Sequence, residues 1–404
     1  MKVSGLMGWT IWMVASIFYA YQYILRVMPN IMLEDIMQQY QIDAAIFGQF
    51  SGFYYIGYSL LHLPVGIMLD RYGPKKVMSG CILLTVVGMM PLVFSDYWVY
   101  PIAGRFLIGV GSSAAILGVF KVVRMAFSEK YFARMLSFSV MIGLLGAIYG
   151  GAPVSYMSDA LGYQTVIKFL ACGGIALAFI TYLVIPDITS KPQSAVFSDV
   201  KEVLGNYRVV LICLFAGLMV GPLEGFADVW GTAFLKQSYG FDAALATSLP
   251  SMIYIGMCFG APVLNFMAEK IGSYLGAIVA AGVTMTISFL CLLAWHLSSS
   301  TVSISFVIVG VCCAYQILAI YQATVYVREE VAGLTTALAN MIIMVFGYAF
   351  HTTIGTVINA MGGPSAPDAM SYGMAVIPIA LGIGSIGFIS LMVTAKKGRE
   401  LQTV

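Results

Sequence analysis

Apolar residues fall in twelve long blocks along this chain, at about 8–33, 44–69, 77–95, 98–123, 135–158, 164–186, 208–235, 246–268, 274–296, 301–327, 333–360 and 372–394. Polar and charged positions gather in the short stretches between them. Each block is long enough to cross roughly 30 Å of hydrocarbon as an α-helix, and a helix satisfies its own backbone N–H and C=O groups where no water can. The pattern predicts an all-α, multi-pass membrane protein. The first block is too long for a removable signal peptide and carries no A-x-A-like cleavage site, so it is expected to stay as the first span.

The pattern also repeats. Shifting the chain by 199 positions brings Asp43-Ala44-Ala45 onto Asp242-Ala243-Ala244, Tyr55-Ile56-Gly57 onto Tyr254-Ile255-Gly256, Asp70 onto Glu269, Arg71 onto Lys270 and Gly73 onto Gly272. One constant offset held over so many residues implies two related halves of six spans each, residues 1–186 and 208–404. Between them, residues 187–207 turn to Asp, Ser, Pro and Lys and read as a cytoplasmic linker with no inserted soluble domain.

Composition agrees with the spans: 60% of residues are apolar and 9% charged, where a soluble domain carries roughly 25% charged residues. With a cytoplasmic N-terminus, fifteen Lys and Arg fall on the cytoplasmic side, among them Lys2, Arg124, Lys191, Arg328 and Lys397, against Lys168 and Lys236 near the other. That asymmetry predicts both termini in the cytoplasm. A net charge of +2 gives no footprint for nucleic acid. The seven cysteines lie in or beside apolar blocks without C-x-x-C pairing, so neither a disulfide framework nor a metal cluster is expected. No G-x-x-x-x-G-K-[ST] loop is present and no enzymatic or cofactor motif emerges, which leaves an ion gradient or the solute's own gradient as the energy source.

Candidate chemistry lies in the few polar residues within the blocks. Tyr19, Gln22, Tyr23 and Arg26 recur at i, i+3, i+4 and i+7 and share one face of the first helix. A guanidinium at that depth faces a wet cavity or a partner, or else snorkels to the headgroups. Tyr54 and Tyr58 lie one turn apart in the second block and can line a cavity or a helix seam; His62 near its end reads as a structural hydrogen-bonder. Lys121 in the fourth block is either a cavity cation or an anchor beside Arg124. In the seventh, Glu224 and Asp228 share a face near Gly221, Pro222 and Gly225, which loosen the helix. Two carboxylates so placed repel when both are ionised, so one can carry a proton or a substrate amine. Tyr315 and Gln316 in the tenth block and Tyr348 and His351 in the eleventh add softer candidates, with His351 able to titrate near neutrality.

Several of these elements resemble a known family. The stretch Gly66-Ile67-Met68-Leu69-Asp70-Arg71-Tyr72-Gly73-Pro74-Lys75-Lys76 is similar to the signature loop between spans two and three of the major facilitator superfamily of secondary transporters. There the acidic and basic residues brace helix ends and set the inward/outward equilibrium, which assigns Gly66, Asp70, Arg71, Gly73, Lys75 and Lys76 to a conformational latch. Arg105-Phe106-Leu107-Ile108-Gly109-Val110-Gly111 is similar to the family's R-x-x-x-G-x-G element, which implies charge or proton coupling at Arg105, although an arginine fixing carbonyls reads equally well. The Tyr23 to Arg26 step resembles the organic-anion branch, where such an arginine holds a carboxylate in its planar fork. The Asp usual before that arginine is Leu25 here. The glycine-rich fifth block resembles the drug-proton antiporters, but their Gly-Pro step is Gly146-Ala147.

The expectation is a monomeric twelve-helix transporter in a bacterial inner membrane. It moves a small organic anion or zwitterion by alternating access in proton symport, with the lipid bilayer and that solute as its partners. The rival readings are a drug exporter on the same fold and a receptor or scaffold that moves nothing.

Overall fold

The computed structural model describes residues 5–186 and 196–402. These residues form helices and turns without a strand, and twelve of the helices are long and apolar enough to cross a membrane. In chain order they are α1 (Gly5–Ile31), α2 (Ala44–Tyr72), α3 (Pro74–Phe94), α4 (Val99–Ala126), α5 (Lys130–Leu161), α6 (Tyr163–Val184), α7 (Tyr207–Tyr239), α8 (Ala243–Ile271), α9 (Tyr274–Ala294), α10 (Ser299–Thr324), α11 (Glu329–Ala360) and α12 (Ala369–Thr394). Most run a few residues past the expected blocks. A helix continues until something caps its free backbone groups, and that point need not coincide with the edge of the apolar run.

The caps explain part of the sequence repeat. Asp43 Oδ1 accepts from the amide of Ile46 at 2.8 Å and opens α2, while Asp242 Oδ1 accepts from Leu245 at 2.8 Å and opens α8. At the other end, Gly73 (φ 81°) and Gly272 (φ 71°) turn the chain in a region that a side chain would strain.

The chain divides into two compact units, Met1–Ser194 and Ala195–Val404. Each repeats one scheme of neighbours. In the first unit α2 packs on α4, α1 on α4 and α5, and α3 on α4 and α6; in the second α8 packs on α10, α7 on α10 and α11, and α9 on α10 and α12. The α2–α4 crossing is close because Gly57 lies against the backbone of Phe106 and Val110, and Gly109 against that of Tyr54 and Tyr58. In the second unit Gly256 meets Val307 and Val311, and Gly310 meets Ile253 and Gly256. A Cβ at any of the four would overlap main-chain atoms. Small residues at such points let membrane helices gain packing where no hydrophobic driving force acts between them.

The linker departs from expectation. Residues 187–195, like Lys2 and Lys191 of the charge asymmetry, lie outside the described residues, but Val196–Gly205 is helical. Val196, Val200 and Val203 recur at helical spacing beneath the polar composition, and Val203 is fully buried. Arg328, on the turn between α10 and α11, grips this helix through Glu202 (Nε to Oε1 2.9 Å, Nη2 to Oε2 2.5 Å), with Asp199 at 3.6 Å. The guanidinium holds the Glu202 carboxyl below the usual carboxylate range.

Candidate functional site

Within the first unit the polar face of α1 gathers the expected residues into one cluster. Arg26 is 7% exposed and its guanidinium lies over the rings of Tyr23 and Tyr55, at 5.1 and 5.3 Å. Tyr19 meets Tyr23 edge-on at 5.3 Å. Tyr54 donates to Gln22 Oε1 at 2.6 Å and stacks on Tyr58, which in turn lies 5.1 Å from His62. Aromatic faces attract a guanidinium through their quadrupole, so the tyrosines hold this charge where hydrocarbon alone would not. The fork of Arg26 thus sits in a pocket of π-faces and hydroxyls.

Arg105 reaches the same cluster from α4, with its guanidinium 5.1 Å from the Tyr54 ring. Its Nη1 donates to the carbonyl of Leu25 at 2.7 Å and its Nη2 to that of Arg26 at 3.3 Å. The cause is Pro29. A proline has no N–H to return to the carbonyl four residues earlier, so it leaves the oxygen of Leu25 without its helical partner. Arg105, 1% exposed, fills that place and fixes the segment of α1 that carries Arg26. These are the contacts of a positioning residue. The glycines of α5 serve the same helix: Gly143, Gly146 and Gly150 lie against Tyr19, Ala20 and Ile24 with Val27.

Lys121, which the sequence leaves between a solute-binding cation and an anchor, gives its ammonium to Asp70 Oδ1 at 2.5 Å. It stands sixteen residues beyond Arg105 on α4, about 24 Å along the axis, so the two cations work at opposite ends of the helix. The partner of the loop's carboxylate is therefore a lysine on α4. Lys75 lies 4.5 Å from the Tyr182 ring on α6 and Arg71 5.4 Å from Tyr72, while Gly66 sits against Leu117.

The second unit builds its polar cluster on a widened helix. Gly221–Trp230 in α7 is wound as a π-helix, closing with the amide of Gly231 on the carbonyl of Phe226. Such turns are rare and recur at functional sites. Glu224 and Asp228 both lie on it and are fully buried. Tyr254 of α8 donates its hydroxyl to Asp228 Oδ1. His351 of α11 places Nε2 2.5 Å from the backbone carbonyl of Glu224; a carbonyl only accepts, so this nitrogen carries a proton. Tyr315 donates to the carbonyl of Ala216 at 2.7 Å, where the first α-helical part of α7 ends. His351 and Tyr315 thus support the winding of α7 through its main chain. Gln316 is buried beside Tyr315, and Tyr348, one turn before His351, is half-buried.

Sequence reasoning passed over Tyr55 and Tyr254 as site residues. The signal was present in the repeat, because they are the tyrosines that the 199-residue offset superposes. One faces Arg26 and the other holds Asp228, so the same position in both units attends the buried charge on the leading helix. Among the described residues no group of three or more metal-binding side chains exists.

The family model described as Major Facilitator Superfamily matches residues 11–352. The chain belongs to this family. Solved superfamily structures share its fold at low identity. A bacterial homologue of the human lysosomal transporter Spinster, inward-facing, aligns with TM-score 0.75 at 14% identity over 96% of both chains. The nucleoside transporter NupG (D323A mutant) aligns with TM-score 0.77 at 14% identity, over 95% of this chain and 99% of that one. Among curated superfamily relatives, the agnestins efflux protein of Paecilomyces divaricatus is 26% identical over 57% of this chain and 52% of its own length. The match thus spans about half of that relative. The lysosomal dipeptide transporter of Danio rerio is 22% identical over 65% of this chain and 62% of its own, and the probable galactarate/D-glucarate transporter of Escherichia coli 20% identical over 78% of each.

Proposed function

We propose that this superfamily member is a secondary transporter for a small, polar, carboxylate-bearing metabolite, an organic anion or a zwitterion such as an amino acid or short peptide. The observation that carries the reading is Arg26, a buried guanidinium held by tyrosine rings on the polar face of α1. Arg26 presents a bidentate fork to the carboxylate, and Tyr19, Gln22, Tyr23, Tyr54, Tyr55 and Tyr58 supply hydroxyl, amide and ring contacts. Glu224 and Asp228 take the coupled proton or the solute's amine. Arg105 and His351 position these groups. The relatives named for dipeptide and for galactarate/D-glucarate transport share a carboxylate in their solutes, which supports this class.

Transport proceeds by alternating access, with the two compact units as moving parts and the proton gradient as the source of energy. The Asp70–Lys121 pair, with Gly66, Arg71, Gly73, Lys75 and Lys76 around it, latches the outward-open state. The protein works as a monomer in a cytoplasmic (inner) membrane with both termini inside.

A counterflow screen in proteoliposomes, run at two pH values with amino acids, dipeptides, sugar acids and dicarboxylates, tests the reading. Uptake of a carboxylate solute that Arg26→Ala abolishes, and whose pH dependence Glu224→Gln removes, with both variants folded, is the expected result. The agnestins efflux relative favours drug export instead. That rival wins if amphipathic compounds are moved and Arg26→Ala moves them equally well.

A further inference from the structure

A cavity lies wholly within the C-terminal unit, apart from α7's buried carboxylates. It occupies about 470 Å³ between the end of α7, the end of α9 and the segment leading into α12, on the face opposite the linker. That volume is in the range of small-molecule sites, roughly 300–1,000 Å³. Its lining includes Gln237, Tyr239, Trp295, His296, Ser365 and Asp368. One wall is fixed: Tyr239 donates to the carbonyls of Leu292 (2.7 Å) and Trp295 (3.0 Å), and the His296 ring stacks on Tyr239 at 4.7 Å and 14°. The other carries Asp368 in a left-handed backbone conformation, φ 61°, which few residues other than glycine, Asn and Asp adopt. Among the described residues no ion pair reaches the Asp368 carboxylate.

We propose that this cavity is a peripheral binding site for a small organic ammonium ion, held by the Asp368 carboxylate and the exposed aromatic face of Trp295, with the stacked Tyr239 and His296 rings as its fixed wall. The chemistry of the lining selects the ligand. No Lys or Arg lines the cavity, so an anion finds no counter-charge there. The described residues hold no cluster of three metal-ligating side chains, so His296 and Asp368 do not make a metal site. What remains is one carboxylate and one open indole face lining the same cavity, the combination that recognises ammonium groups. The inference stands independently of the Arg26 reading, because an ammonium ion without a carboxylate has no use for that guanidinium.

Calorimetric titration of the purified full-length protein with choline as the probe tests it. Saturable binding is expected, weakened about tenfold by Asp368→Asn and by Trp295→Ala, with acetate unable to compete. Asn tolerates the left-handed backbone, so Asp368→Asn removes charge without strain, and unchanged thermal midpoints verify that both variants fold. No saturable binding, or an affinity that neither substitution alters, overturns the proposal.

Discussion

Arg105 donates to the carbonyl of Leu25, an oxygen that Pro29 deprives of its helical amide. The arginine and the proline are thus two halves of one device, on different helices and 76 positions apart. Arg105→Ala leaves a buried carbonyl without its donor, at a cost of about 1–3 kcal/mol, and lowers the thermal midpoint. Pro29→Ala returns an amide to Leu25, so in the double variant part of that loss is recovered. Thermal unfolding of the four proteins in a double-mutant cycle measures the coupling, and strict additivity contradicts the arrangement.

The Asp70–Lys121 pair ties the end of α2 to the end of α4. Asp70→Asn or Lys121→Ala releases it, and each is expected to slow transport while leaving the fold intact, since an exposed pair contributes at most about 1 kcal/mol to stability. The exchange Asp70→Lys with Lys121→Asp restores the pair in reverse and recovers a measurable part of the rate. Counterflow in proteoliposomes compares them, and failure of the exchange to exceed either single variant refutes the pairing.

Gly109 and Gly310 occupy equivalent crossings in the two units, each against main-chain atoms of the neighbouring helix. Gly109→Ala and Gly310→Ala are therefore expected to destabilise alike, by about 1–3 kcal/mol or more, as overpacking does. Gly173→Ala, at a position with open space around it, is expected to leave the midpoint unchanged or raise it. Thermal unfolding of the three variants distinguishes crossing glycines from incidental ones.

The grip of Arg328 on Glu202 predicts a dependence on pH and salt for the helix 196–205. The Glu202 carboxyl titrates below its ordinary range because Arg328 stabilises its charged form. The contact therefore holds the helix at neutral pH and is lost as the pH falls through that lowered value. Amide exchange over 198–205, corrected for intrinsic rates, is expected to rise in acid, at high salt and in Arg328→Ala at pH 7. Exchange that stays the same in all three conditions shows that the ion pair does not secure the helix.

The spans were legible because hydrocarbon imposes one requirement, an unbroken apolar helix, that every block meets in its own sequence. Glu224 and Asp228 stood out for the same reason, as charges where the solvent rejects them. What stayed hidden depends on partners far along the chain. Pro29 is visible, but nothing local says that Arg105 supplies its missing bond. Lys121 looked like a cavity residue because Asp70, its partner, lies 51 positions away. The π-helical winding of Gly221–Trp230 rests on His351 and Tyr315 from other helices, and the helix 196–205 was masked by a polar composition that read as linker.

Gly57 and Gly256 are 199 positions apart, whereas Gly109 and Gly310 are 201 apart, so the second copy has two more residues between the two contact points. Both crossings nevertheless keep the same backbone partners. The length difference between the duplicated segments arises after Gly73, still 199 positions before Gly272, and before Gly109. The spacing along the chain thus differs between the two halves while the point of touch stays the same.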